Sequence, residues 1–196
     1  MAKIDLKLFF RLVFFMAGMV ALSNFLVQFP FNFFGLENIL TYGAFSYPIT
    51  FLITDLSNRR FGKESARKVV YVGFIFGVLI TLFFSTNFSD LISIRIAIGS
   101  GTAFLIAQLI DVQIFDKLRK KTWFVAPLTS SFIGSFIDTF IFFFIAFFNT
   151  DIPWFSLALG DLTVKILMAL IMLIPFRLFL QKIRDITDYK QKISSI

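Results

Sequence analysis

The sequence contains neither cysteine nor histidine. The chain therefore cannot form disulfides, cannot use a thiol nucleophile or an imidazole base, and lacks the side chains that hold most zinc and haem sites. Acidic residues are also few, with 12 against 19 lysines and arginines. Neither a Walker A sequence nor an HExxH motif is found. These absences predict a protein that is not an enzyme and has no cofactor or metal.

What the chain has in abundance is apolar residues in long runs. Hydrophobic residues make up 58% of the sequence, and the mean hydropathy is +0.84. A bilayer span needs about 20 mostly apolar residues. The runs predict transmembrane helices at roughly 8–28, 37–57, 68–86, 92–115, 128–148 and 156–178. The 31 phenylalanines suit lipid contact and helix packing.

The predicted fold class is therefore an all-α membrane protein, a six-transmembrane-helix bundle. It would form a single domain over residues 1–180, followed by a short basic tail at 181–196. That tail has the pattern of an amphipathic helix resting on an anionic membrane surface.

Positive charges lie on one side of this topology. All of the 19 lysines and arginines except Arg95 and Lys165 fall in the two terminal segments or in the second-to-third and fourth-to-fifth connections. The opposite connections hold Glu37, Asp90 and Asp151. Because lysine and arginine accumulate in cytoplasmic loops, both termini are predicted to be cytoplasmic. Because membrane topology accounts for the basic residues, we expect that nucleic acid is not a partner.

Several polar side chains fall inside the predicted spans. A charge at the bilayer centre costs about 2.5–3.5 kcal/mol on insertion scales, so each needs a reason. Asp55 and Asn58 are three residues apart and share a helix face, as do Gln108 and Asp111. Asp138 lies near the centre of the fifth span, where so short a side chain cannot reach the interface. We interpret these residues as candidates for binding a polar solute.

Each candidate also has a purely structural interpretation. Asp55 and Asn58 could end a helix or pair with the arginines that follow, and Gln108 and Asp111 could form a polar clamp between helices.

Lys165, near the middle of the sixth span, offers a third structural interpretation. It could form an ion pair with Asp138, and Asp161, four residues earlier, could hold it from the same helix. Arg95 lies near the end of its span and can extend to the interface. Asn24 and Gln28 in the first span are weaker candidates, since single amides often bond between helices.

A kink is predicted in the second span. Pro48 lacks an N–H and clashes with the carbonyl of Ala44, four residues earlier. Within a membrane such a kink is tolerated where the loosened backbone faces protein or a cavity. The kink and the polar residues together favour a helix that takes part in binding.

Carboxylates and amides in a narrow cavity among aromatic rings suit a flat, neutral or weakly cationic solute rich in N–H donors. A guanine-like edge presents adjacent N–H groups that one carboxylate can accept, and Phe or Tyr rings can stack on its faces. The residues alone thus predict a carrier for a small solute.

A specific pattern runs through these segments. It comprises YPITFLITDLSN at 47–58, AFLIAQLIDV at 103–112, SFIDT at 135–139, and LGDL at 159–162 followed by Lys165. The pattern resembles the bacterial vitamin uptake transporter family, also called queuosine precursor transporters. The likeness extends from the second predicted span to the sixth.

The resemblance implies a six-helix bundle similar to the substrate-binding components of energy-coupling-factor vitamin transporters. It also implies a multi-pass protein of the bacterial inner membrane that imports 7-deazaguanine precursors of queuosine, such as 7-cyano-7-deazaguanine and 7-aminomethyl-7-deazaguanine, for salvage into tRNA modification. The family's polar motifs fall on Asp55, Asn58, Gln108, Asp111, Asp138 and Lys165, which are the expected substrate-binding residues.

The chain departs from the family pattern after Asn58. Many members have an acidic residue there, whereas this chain has Arg59-Arg60-Phe61-Gly62, which leaves the exact substrate open. The expected partners are the deazapurine and the lipid bilayer, and a homodimer or an energising partner stays open. The alternatives are a carrier for another vitamin-like heterocycle and a membrane scaffold that transports nothing.

Overall fold

A computed structural model describes residues 6–27, 29–33, 35–36, 40–84 and 91–180. The regular structure of these residues is helical. The helices are α1 (Leu6–Leu26), α2 (Gly43–Ser46), α3 (Pro48–Phe61), α4 (Lys63–Phe84), α5 (Leu91–Leu118), α6 (Val125–Phe147) and α7 (Trp154–Leu180).

Five helices, α1 and α4 to α7, are long and apolar enough to cross a membrane. This confirms the all-α membrane class and five of the six predicted spans. The predicted basic tail at 181–196 and Gln28 lie outside the described residues.

The second predicted span, 37–57, is wrong in its extent. The helical part begins at Gly43 and is interrupted at Tyr47, and α3 then continues to Phe61. With 14 residues, α3 is about 21 Å long at 1.5 Å per residue, shorter than the hydrocarbon core. The interruption falls at Pro48, where the kink was predicted, because proline cannot donate the next helical hydrogen bond.

The short helix α3 occupies the centre of the bundle. It contacts α1, α4, α5, α6 and α7. Its polar residues Thr50, Thr54, Ser57 and Asn58 are fully buried, so they face protein and not lipid. Gly62 ends it with a φ of 86°, a conformation that favours glycine, and its N–H donates to the Asn58 carbonyl at 2.9 Å.

Glycines bring α1 and α4 close together. A β-carbon at Gly73 would lie 2.3 Å from Cγ of Met16, and one at Gly77 would lie 2.6 Å from Cβ of Val20. Small residues let helix backbones approach, which supplies much of the packing energy inside a bilayer.

A glycine also allows close packing between α3 and α6. A β-carbon at Gly134 of α6 would lie 2.5 Å from Cε1 of Phe51 on α3. Phe51 is 2% exposed, so its ring fills the space that the glycine leaves.

Large apolar side chains cover the outside of the long helices. Among them are Phe14, Phe83, Phe132, Phe144 and Phe155, all well exposed in the isolated chain. So large an apolar surface suits contact with lipid, as the abundance of phenylalanine predicted.

Candidate functional site

Lys165 of α7 forms ion pairs with two carboxylates. Its Nζ lies 2.8 Å from Oδ2 of Asp138 on α6 and 2.6 Å from Oδ2 of Asp161 on its own helix. The Thr139 hydroxyl donates to Oδ2 of Asp161 at 2.8 Å and lies 3.1 Å from Nζ. The predicted pairing of Lys165 with both aspartates is confirmed.

Local sequence explains this arrangement. Asp161 and Lys165 are four residues apart on α7 and therefore share one face. Asp138 and Thr139 come from α6, which packs against α7. The ring of Tyr47, at the interruption before α3, lies 5.1 Å from Nζ of Lys165, close enough for a cation–π contact.

The charged cluster lines a cavity with a volume of about 130 Å³. Asp138, Asp161 and Lys165 form one side together with Tyr47. At about 30 Å³ per molecule, a cavity of this size has room for about four waters, and cavities of roughly 150 Å³ admit a single aromatic ring.

The rest of the cavity lining is largely apolar. The rings of Phe142, Phe143 and Phe147 line it together with several aliphatic side chains. Concave sites with apolar walls and a few converging polar groups are typical of small-molecule binding. The aromatic wall predicted for a flat solute is therefore present.

Asp138 is the polar group best placed to meet a ligand. The residue is 2% exposed, and its Oδ1 has no hydrogen-bond partner within the described residues. A buried carboxylate oxygen left unpaired is costly, so a donor supplied by a ligand would be favourable there. With both aspartates ionised, the cluster would have one negative charge more than Lys165 balances.

A second polar group lines the cavity at another point. The Ser100 hydroxyl donates to Oδ1 of Asn24 at 2.7 Å, and Nδ2 of Asn24 donates to Thr81 at 3.1 Å. Asn24 and Ser100 both line the cavity. The bonds join α1, α4 and α5, so Asn24 bonds between helices as its structural interpretation predicted.

Gln108 joins α5 to α3 outside the cavity lining. Its Nε2 donates to the Thr50 hydroxyl at 2.8 Å, and its Oε1 accepts from the Thr54 hydroxyl at 2.5 Å. This is the polar clamp of the structural interpretation, and contact of Gln108 with substrate stays a prediction.

Asn58 makes a second link between the same helices. Its Nδ2 donates to the Val112 carbonyl at 2.9 Å, and Nη2 of Arg119 donates to the Asn58 carbonyl at 2.6 Å and also to its side-chain oxygen. Arg119 further pairs with Asp116 at 3.1 Å. Asn58 is not among the residues lining the cavity, so its role in substrate binding stays a prediction.

Asp55 and Asp111 also lie away from the cavity lining. Asp55 accepts a hydrogen bond from Ser130 of α6 at 3.3 Å. Both oxygens of Asp111 lack a hydrogen-bond partner within the described residues, and the residue is fully buried. For these two carboxylates as well, substrate contact stays a prediction.

A known protein family matches most of the chain. The family model described as "Putative vitamin uptake transporter" matches residues 41–180. The chain belongs to this family. The match includes every residue of the charged cluster and begins just before the interrupted helix.

Individual relatives cover almost the whole chain. A "Probable queuosine precursor transporter" of Haemophilus influenzae is 36% identical, over 84% of this chain and 82% of its own length. The "Queuosine precursor transporter" of Escherichia coli is 34% identical, over 86% of this chain and 84% of its own. No solved structure matches the chain significantly.

Sequence reasoning missed part of the site of this family member. Tyr47, Thr139 and Ser100 were not singled out, although Tyr47 directly precedes Pro48 and Thr139 directly follows Asp138. Asp161 was assigned only to hold Lys165, but it also lines the cavity. The sequence signal that could have identified Thr139 is its position next to Asp138, a charged residue inside a predicted span.

Proposed function

We propose that this protein imports queuosine precursors, namely 7-deazaguanine bases such as 7-cyano-7-deazaguanine and 7-aminomethyl-7-deazaguanine, for salvage into tRNA modification. The observation that carries the proposal is the buried Oδ1 of Asp138, which has no hydrogen-bond partner among the described residues and lies in a cavity lined by phenylalanine rings. The names of the two relatives bring the substrate class to this chain.

The chemistry of the cluster supports a donor-rich substrate. A guanine-like edge presents two neighbouring N–H groups, and a carboxylate can accept both when its two oxygens are available. Oδ2 of Asp138 is held by Lys165. Because Lys165 also pairs with Asp161, it can release Asp138 to the substrate and still keep a counter-ion.

Lys165 then serves as the counter-ion of the empty site. While no substrate is bound, its ammonium group offsets the charge of Asp138, which reduces the cost of a buried carboxylate. In our proposal Asp138 and Lys165 act directly in this cavity. Asp55, Asn58, Gln108 and Asp111 would meet substrate only in another conformation of the transporter.

The location and orientation belong to the same proposal. We place the protein in the bacterial inner membrane with both termini cytoplasmic, because the lysines and arginines collect on that side. We further propose one domain over residues 1–180 and a bundle similar to the substrate-binding components of energy-coupling-factor transporters. A homodimer or an energising partner is compatible with this arrangement.

Binding by the purified protein tests the substrate. Thermal stability in detergent would be measured with 7-cyano-7-deazaguanine, 7-aminomethyl-7-deazaguanine, guanine, biotin and riboflavin. We expect the deazaguanines to raise the melting temperature and the other compounds to leave it unchanged. If biotin or riboflavin raised the melting temperature instead, the proposed substrate would be wrong and the carrier function would remain. If no compound changed the melting temperature, the result would favour a membrane scaffold.

Uptake by proteoliposomes tests the site. Asp138→Asn removes the charge of the acceptor, and we expect it to abolish both deazaguanine uptake and the thermal shift. Asp151→Asn, which changes an exposed aspartate, is the matched control and should behave like the wild type. If Asp138→Asn left uptake and folding intact, the assigned site would be wrong.

A further inference from the structure

A second pair of buried carboxylates lies away from the cavity. Asp55 of α3 is 2% exposed and Asp111 of α5 is fully buried. Two neighbouring contacts set the register: Thr54 bonds to Gln108, and Asn58 bonds to the backbone of Val112. Together with the bond between Gln108 and Thr50, these contacts place Asp55 and Asp111 at the same level of the α3–α5 contact, where both carboxyl groups are buried.

No cation compensates this pair within the described residues. None of the ion pairs there involves Asp55 or Asp111. Neither oxygen of Asp111 has a hydrogen-bond partner in the part of the chain that the structure describes, while Asp55 accepts from Ser130 at 3.3 Å. Two adjacent carboxylates buried without a cation cannot both remain ionised, and a shared proton removes the repulsion.

None of the described contacts of the charged groups on the surrounding helices reaches this pair. Arg59 of α3 donates to the Arg119 carbonyl, and Arg119, which follows α5, binds Asn58 and Asp116. On the other helices against α3, several ionic groups contact one another or an aromatic ring. Lys165 pairs with Asp138 and Asp161, Glu64 with Arg67, and Arg177 lies over Trp123, while Lys7, Arg11, Lys63 and Lys68 make none of the described ion pairs.

The carboxyl pair is mechanically linked to the substrate cavity. Tyr47 directly precedes α3, which carries Asp55 eight residues after it, and α6 carries Ser130 and, eight residues later, Asp138. Tyr47 and Asp138 line the cavity, while Asp55 bonds to Ser130. Eight helical residues span about 12 Å, so the same two helices connect both sites.

We propose that the Asp55–Asp111 carboxyl pair is a proton-binding site that couples substrate uptake to the inward flow of protons. One oxygen of the pair accepts a proton from water outside, which forms a carboxylic acid bonded to the other carboxylate. When the helices move so that the pair faces the inside, the proton leaves to water there and the pair regains its second negative charge. The inference rests on the proposed transport function.

The test uses full-length protein in proteoliposomes with a pH-sensitive dye inside. The probe is 7-cyano-7-deazaguanine, chosen because it is uncharged and brings no proton of its own. We expect its uptake to acidify the interior, and an acidic exterior to raise its accumulation several-fold over equal pH. Uptake without acidification and without response to the pH gradient would overturn the inference, as would uptake driven by a sodium gradient instead.

The same experiment separates the two proposals. If neither uptake nor a thermal shift is seen with any deazaguanine, the transport function fails and the coupling falls with it. If uptake is seen but no proton moves, only the coupling fails.

Variants assign the proton to the pair. Asp55→Asn and Asp111→Asn should lower the number of protons moved per substrate, and Asp111→Glu should restore it towards the wild-type ratio. The control Asp151→Asn should keep that ratio. If both asparagine variants kept the wild-type ratio of protons to substrate, the transported proton would not be bound by this pair.

Infrared spectroscopy covers the case in which the asparagine variants do not fold. The wild-type protein should show the carbonyl stretch of a buried protonated carboxyl group, and Asp111→Glu should shift that band. Absence of the band in the wild type would contradict the proposal.

Discussion

Gly134 of α6 lies against the ring of Phe51 on α3, halfway along the contact between these helices. A β-carbon at Gly134 would approach Cε1 of Phe51 to 2.5 Å. On one side of this contact lies the cavity with Asp138, and on the other lies the bond between Ser130 and Asp55. The close contact between this glycine and this ring therefore lies between the two carboxylate sites.

Gly134→Ala should destabilise the protein. The new methyl group meets a buried ring, and overpacking of this kind costs about 1–3 kcal/mol. Thermal unfolding in detergent measures the loss, and Phe51→Leu in the same chain should recover part of it. Gly101→Ala is the control, because its nearest neighbour would be 3.5 Å away. Equal stability of the two alanine variants would refute the close contact.

Gly77→Ala should weaken the packing of α1 on α4. The added carbon would lie 2.6 Å from Cβ of Val20 and 3.1 Å from the Ala17 carbonyl oxygen, and the branched valine has little freedom to turn away. Gly18→Ala on α1 has nothing within 4 Å, so it should be neutral or stabilising. A melting temperature lower for Gly77→Ala than for Gly18→Ala is the expected result, and the reverse order would contradict it.

Lys165→Met should destabilise the protein strongly. It leaves Asp138 and Asp161 facing each other without their cation, and breaking a buried pair in this way costs about 3–5 kcal/mol. Adding Asp138→Asn should recover much of that loss, since one of the two stranded charges is removed. A double-mutant cycle on melting temperatures measures the coupling. Additive effects would show that the ion pair is not what stabilises this region.

Gln108→Leu should lower stability with little effect on binding in the cavity. It removes the bonds to Thr50 and Thr54, and interhelical hydrogen bonds in membranes contribute about 0.6 kcal/mol on average. Gln113→Leu, on the exposed side of the same helix, is the matched control. Loss of the deazaguanine-induced thermal shift in Gln108→Leu alone would instead place Gln108 in the substrate site, as the sequence predicted.

The sequence predicted most of the fold because length and hydropathy determine which segments can span a bilayer. It failed at the second span, where apolar character continues from 37 to 57 but the helix starts at Gly43 and breaks before Pro48. A hydropathy pattern does not distinguish residues that cross lipid from residues buried in the middle of a bundle. α3 begins at Pro48 and ends before Gly62, and its neighbours surround it.

The charged residues were predicted for a similar reason. Inserting a carboxylate or ammonium group into a bilayer costs so much free energy that such a residue inside an apolar run stands out in the sequence. The spacing of four residues between Asp161 and Lys165 then predicted their ion pair. Tyr47, Thr139 and Ser100 were missed because hydroxyl groups are common in membrane helices and cost little. Which side of a helix they occupy depends on packing.

By itself, the sequence determined that this chain is a helical membrane protein with a few unavoidable buried charges. Tertiary structure decided how those charges are divided. Asp138 and Lys165 line the cavity, while Asp55 bonds to Ser130, about two helical turns along α6 from Asp138, and Asp111 is buried outside the cavity lining. The physical reason is that the partner of a buried charge is chosen by which helix faces pack together, and close contacts such as Gly134 with Phe51 set that packing.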